Sequence, residues 1–303
     1  MTNSALTRRR FLEGTTAAGL TTLLPDLAFS AQQPFKLNYA PHAGLFEHSA
    51  GSSIVDQIEF AADEGFTAWE DNNMRGRSAS EQESIAAALH RNDMKMGVFV
   101  AADISWEEPG ITTGDRESRS KFLSDIRESV EVARRVNANW MTVVPDHVDP
   151  RIQPHFQMAN VVETLKQASA ILEPHGLVMV LEPLNFRDHP GMFLTEIPQA
   201  YMICKAVDSP SCRILFDIYH QQITEGNIIP NIDAAWDEIA YFQVGDVPGR
   251  NEPTTGEINY RRVFEHIHGK GFDGVVGMEH GKSVDSAEGE VALIAAYREV
   301  DAF

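Results

Sequence analysis

Four residues with oxygen donors, Glu182, Asp217, Gln243 and Glu279, each close an apolar run, in the contexts VMVLE, RILFD, AYFQ and VVGME. Apolar runs of this length with β-branched and aromatic residues read as buried strands. Three carboxylates and one amide oxygen at the ends of successive strands describe a site for a hard divalent cation such as Mg2+ or Mn2+. Without a cation, carboxylates packed this way would repel one another and hold their protons more tightly.

The elements that must position these residues recur along the chain. From Lys36 onward eight strand-like runs, KLNYAPH, TAWEDN, KMGVFVAA, NWMTVVPD, VMVLEPL, RILFDIYH, AYFQVGD and GVVGMEHG, alternate with stretches whose apolar residues fall at helical spacing, such as Phe122, Ile126, Val130 and Ala133. Eight βα units in one α/β domain predict a (β/α)8 TIM barrel, whose chemistry sits at the carboxyl ends of the strands. A doubly wound sheet is the alternative, and its phosphate-binding glycine fingerprint is missing. Glycines before the strands at Gly65, Gly176 and Gly271 supply left-handed helix stops. The long segment after strand three, from Trp106 to Arg116, has the length of a lid over the barrel mouth.

The 303 residues carry a formal net charge of -19, which repels nucleic acid and anionic membrane surfaces. Residues 1–30 differ from the rest. A basic start with a twin arginine, Thr7-Arg8-Arg9-Arg10-Phe11-Leu12, precedes a mildly apolar stretch from Gly14 to Leu24 and small residues at Ala28 and Ser30. This resembles a bacterial twin-arginine export signal cleaved near Ser30 or Ala31, and it implies a periplasmic or otherwise exported protein whose barrel spans 31–303. The alternative is a basic arm on a cytosolic protein. Two cysteines, Cys204 and Cys212, are compatible with either a bridge or two buried thiols.

Taken with Glu182, Asp217, Gln243 and Glu279, the segment Gln243-Val244-Gly245-Asp246-Val247-Pro248-Gly249-Arg250-Asn251-Glu252-Pro253, continuing to Gly256-Glu257-Ile258-Asn259-Tyr260, resembles the hydroxypyruvate isomerase branch of the xylose-isomerase-like TIM barrels. Asp217-Ile218-Tyr219-His220 matches as well. The resemblance implies that Glu182, Asp217, Gln243 and Glu279 are metal ligands. It further implies that Glu182 and Glu279 move protons through a cis-enediolate, and that His220, Arg250 and Glu252 contact a small hydroxy-carbonyl or sugar substrate. Hydroxypyruvate and tartronate semialdehyde would be the substrate pair. One departure is Glu279-His280-Gly281-Lys282, where the family has Tyr-x-Pro after its last glutamate.

Three rivals use the same barrel. A ketose 3-epimerase would employ the same paired glutamates, with histidine in place of Gln243. A phosphodiesterase of the endonuclease IV type needs a histidine-rich zinc site and a basic track, which Gln243 and the net charge disfavour. A non-catalytic periplasmic sugar or metal binder would keep the ligands without the chemistry. A homo-oligomer fits any of them.

Overall fold

The computed structural model describes residues 34–303, so the basic start and apolar stretch of residues 1–30 lie outside the described residues. The eight strands are β1 (Asn38–Ala40), β2 (Ala68–Trp69), β3 (Lys95–Met96), β4 (Trp140–Val143), β5 (Val178–Leu181), β6 (Cys212–Asp217), β7 (Ile239–Gln243) and β8 (Val275–Gly277). All pair in parallel, in a six-stranded order β1-β8-β7-β6-β5-β4 and a two-stranded β2-β3. Single bridges, His42 to Glu70 on one side and Met96 to Ala138 and Val100 to Thr142 on the other, join the two sheets into a TIM barrel with helices outside.

Both faces of the strands are buried, as parallel sheets require, except at β3, where Lys95 is exposed. Ala40, Ala68, Val98, Val180, Leu215, Tyr241 and Val275 form one cluster, while Met179, Leu181, Ile214, Phe216, Phe242 and Val276 pack with the helices in another. The alternation of two along a strand therefore separates an inner face from an outer one. Glu182, Asp217, Gln243 and Glu70 each follow an inner residue (Val180, Leu215, Tyr241, Ala68) by two positions, which aims them toward the barrel axis at its carboxyl end.

The third strand is shorter than its apolar run predicts. Beyond Met96 only separate backbone bonds continue the pairing, such as the Asp71 N–H to Val98 O at 3.3 Å and the Thr142 N–H to Phe99 O at 2.8 Å, while the Val98 amide donates to the Tyr241 hydroxyl at 3.3 Å, for which Gly97 leaves room. Gly65, Gly176 and Gly271 adopt positive φ, as a left-handed helix stop demands. Cys204 and Cys212 are buried free thiols with their sulfurs 4.0 Å apart. Among the described residues, no helix is long and apolar enough to cross a membrane.

Candidate active site

Asp217 is both the last residue of β6 and the cap of the helix Ile218–Thr224, its Oδ1 accepting from the Tyr219 amide at 2.8 Å. Capping fixes the first turn of that helix and brings His220 back over the strand end. His220 Nε2 then lies 3.5 Å from Asp217 Oδ2 and 3.6 Å from Glu182 Oε1. Glu182, Asp217 and His220 present atoms within 4.8 Å of one another, and all three are buried.

The role of His220 follows from its other nitrogen. Nδ1 receives the Asn185 backbone N–H at 3.1 Å and faces the Asn185 side-chain amide at 2.7 Å. Met by these donors, Nδ1 is an acceptor, and the ring carries its proton on Nε2. Burial, then the positive charge of Arg250, pushes the His220 pKa down to about 3, so the ring is neutral. Nε2 faces the Asp217 and Glu182 oxygens and, at 3.4 Å, Arg250 Nη2. Asn185 is itself held by Asp188, whose Oδ2 also accepts from the Tyr219 hydroxyl at 2.7 Å.

Glu279 meets two donors from distant parts of the chain, Asn72 Nδ2 at 2.7 Å on Oε1 and Arg250 Nη2 at 2.6 Å on Oε2. Arg250 Nη2 also donates to Asp217 Oδ2 at 3.2 Å, and its guanidinium stacks over the Tyr219 ring. Burial opposes the charge on Arg250, but the carboxylates of Glu279, Asp217 and Glu182 together outweigh it and raise its pKa. Burial raises Glu182 well above the ordinary carboxyl range, with the charges of Glu279 and Asp217 adding to it. Asp217 is raised by burial, and Glu70 by burial and then by Glu279.

Gln243 completes the rim from β7. Its Nε2 donates to Glu70 Oε1 at 2.9 Å, while its Oε1 is buried without a hydrogen-bond partner among the described residues. An orphaned buried oxygen on the residue in register with Asp217 fits a divalent cation of the hard class. A cavity of about 410 Å³ opens against Glu70, Asn72, Arg250 and Glu279. It adjoins one of about 780 Å³ through Asn72 and Asn73, and Trp106 lines that second cavity. Trp106 stacks on His189 with ring centroids 5.1 Å apart, and His189 in turn lies 5.5 Å from the His220 ring.

Two expectations change form. The Glu252 carboxylate is not brought to the cluster: it is buried and accepts from the Ser283 amide at 2.9 Å and from the Ser283 hydroxyl, tying the loop after β7 to the loop after β8. A carboxylate needs buried donors, and Ser283 supplies them before any substrate could. The His280 departure likewise turns away from the axis, its Nε2 paired with the Tyr297 hydroxyl at 2.7 Å, and burial lowers its pKa to about 3. Asn72 was missed by sequence reasoning. Its only signal was its place at the end of the TAWEDN run, two positions beyond Glu70.

Residues 58–298 match the xylose isomerase-like TIM barrel family. This chain belongs to that family. Within it, the chain is 30% identical over 231 residues to the 2-oxo-tetronate isomerase of Cupriavidus necator, covering 75% of this chain and 87% of the relative. It is 35% identical over 140 residues to the hydroxypyruvate isomerase of Escherichia coli, covering 46% of this chain and 54% of that protein. A crystal structure described as an AP endonuclease of family 2 from Brucella melitensis superposes with a TM-score of 0.75 at 23% identity, covering 86% of this chain and 99% of the other. The D-psicose 3-epimerase of Clostridium cellulolyticum superposes at 0.69 with 17% identity, covering 88% and 96%. At these identities the two structures attest the shared fold.

Proposed function

We propose that this protein is a metal-dependent isomerase that moves hydrogen between neighbouring carbons of a small hydroxy-carbonyl acid, with hydroxypyruvate or a 2-oxo-tetronate as substrate. The observation that carries this reading is the pairing of two unlike carboxyl groups at one barrel mouth. Glu182 is buried and raised by its surroundings, while Glu279 is held as an acceptor by Asn72 and Arg250. The isomerase relatives support the reaction class.

Glu182, Asp217, Gln243 and Glu279 would hold Mg2+ or Mn2+. Such a cation, when bound, polarises the substrate carbonyl and acidifies the adjacent C–H. The rest of the work falls to the chain. A carboxylate within reach of a carbon-bound hydrogen takes it as general base, its partner returns a proton to the neighbouring carbon, the hydroxyl proton passes to the former carbonyl oxygen, and exchange with solvent restores the two carboxyl groups. Glu182 on β5 and Glu279 on β8 arrive from different sides of the ring, separated by β6 and β7. His220 donates from Nε2 to the developing oxyanion, the Asn185 contacts fixing its tautomer. Arg250 faces the same space with a planar donor array suited to a substrate carboxylate.

The test is solvent deuterium incorporation followed by NMR, with the purified protein and Mn2+ or Mg2+. Exchange beside the carbonyl together with appearance of the isomeric product supports the reading. Exchange with inversion at one carbon and no isomeric product would make it an epimerase. Bound metal with no exchange for any of hydroxypyruvate, 2-oxo-tetronate and a ketose panel would leave a binding protein.

Export through the twin-arginine route belongs to the same proposal. It rests on the order of basic, apolar and small residues in the first thirty.

A further inference from the structure

Beneath the candidate metal ligands lies a buried chain of hydrogen bonds that the proposed chemistry does not use. The Val98 amide donates to the Tyr241 hydroxyl at 3.3 Å, Tyr241 donates to Glu70 Oε2 at 2.9 Å, and Gln243 Nε2 donates to Glu70 Oε1 at 2.9 Å. Because the Val98 N–H points at the Tyr241 oxygen, the hydroxyl hydrogen is committed to Glu70. Both Glu70 oxygens accept in this arrangement, and Gln243 presents its NH2 group downward. Its Oε1 faces the other way, buried and without a partner among the described residues.

Two glycines carve the space for this arrangement. A Cβ at position 277, on β8, would collide with Glu70 Oε2 and press on Gln243 Cγ, and one at position 97 would collide with the Tyr241 hydroxyl. Neither glycine has a positive φ, so close approach is what requires it. An amide can point either end at a cation site, and only its oxygen can ligate. A buried carboxylate below it, held in turn by a tyrosine, resolves that ambiguity.

We infer that Glu70, anchored by Tyr241 and accommodated by Gly277, is the positioning residue that sets the orientation of the Gln243 amide and so makes Gln243 a metal ligand. The inference rests on the metal site proposed above. In Glu70→Gln, the side chain must still accept from Tyr241, so its NH2 meets the NH2 of Gln243. Gln243 then flips and turns its own NH2 toward the cation.

Mn2+ binding to the full-length protein, read from the loss of the free Mn2+ EPR signal, tests this without any turnover. The variants are Glu70→Gln, Gln243→Ala and the double variant, with circular dichroism melts to establish folding. Loss of a partner that orients a metal ligand weakens binding about 10- to 100-fold. That loss is expected for Glu70→Gln in the native background, and less than about threefold further loss when Gln243 is already alanine, since residues acting through one contact are non-additive. Tyr241→Phe serves if Glu70→Gln does not fold, with a measurable loss again confined to the background that keeps Gln243.

Wild-type affinity in Glu70→Gln overturns the inference alone. Equal losses with and without Gln243 also overturn it, because Glu70 would then act through its charge. Absence of Mn2+ uptake by the wild-type chain would overturn the metal site and this inference together.

Discussion

One guanidinium nitrogen of Arg250 donates to Glu279 Oε2 at 2.6 Å and bridges it to Asp217 Oδ2 at 3.2 Å. The strongest cation within the acidic cluster is thus supplied by a loop residue with a positive φ, located between the ends of β7 and β8. Replacing Arg250 with alanine leaves two partly or fully buried carboxylates without compensation. Breaking such a pair costs about 3 to 5 kcal/mol. We expect Arg250→Ala to lower the melting temperature in chelator and to recover most of it in saturating Mn2+, measured by calorimetry. Equal destabilisation with and without Mn2+ would contradict a shared electrostatic role.

Glu182→Gln removes the buried carboxyl while keeping its shape. Loss of a general acid-base group is expected to slow deuterium exchange by about 10²- to 10⁴-fold. The chelated protein should fold as well as the wild type or better, because Glu182 burial and its acidic neighbours Glu279 and Asp217 disfavour the charge. Retained exchange in Glu182→Gln would remove Glu182 from the proton transfer.

Metal removal has a calculable signature. A ligand at one hundred times its Kd stabilises the native state by about 2.7 kcal/mol. For a domain of this size that raises the melting temperature by roughly 5 °C. Chelation should reverse the shift, and Glu182→Gln should diminish it.

Trp106 is about half exposed and stacks on His189 above the site. It lines the larger cavity, whereas Glu279 lines the smaller one beside it. Trp106→Ala is expected to raise KM several-fold with kcat nearly unchanged, the pattern of lost uniform binding. A fall in kcat at constant KM would place the loop in the chemical step instead.

Away from the site, Asp115 caps the helix Arg116–Val136, accepting from the Glu117 and Ser118 amides at 2.9 and 3.0 Å. Side-chain hydrogen bonding with Ser118 and Thr113 leads the causes that lower its pKa from 3.8 to about 2. A depressed carboxyl stabilises the fold above its unfolded pKa and loses that contribution as pH falls through the folded one. Asp115→Ala should therefore cost about 1 kcal/mol at neutral pH. The gap to wild type should narrow between about pH 4 and pH 2, as followed by urea denaturation.

The strand ends were legible in the sequence, and the apolar runs that Glu182, Asp217 and Gln243 close already placed these residues at the carboxyl ends of successive strands. Burial of both faces of a parallel strand leaves an oxygen donor at its end few other directions. The polarity of the barrel was legible too, since helix-stopping glycines precede the strands. What the tertiary structure alone decided is which atom each donor presents. Asn72 reaches Glu279 across 207 positions, and Glu70 meets Gln243 across 173. Such pairings depend on where loops from distant strands close, and no local periodicity encodes them. Glu252 shows the same limit from the other side. Its motif matched a family pattern, but the donors that satisfy a buried carboxylate lay at Ser283, and its side chain was drawn there. Local pattern set direction, because backbone geometry imposes it residue by residue; partners were set by three-dimensional proximity, because a buried polar atom bonds to whatever the closed barrel places beside it.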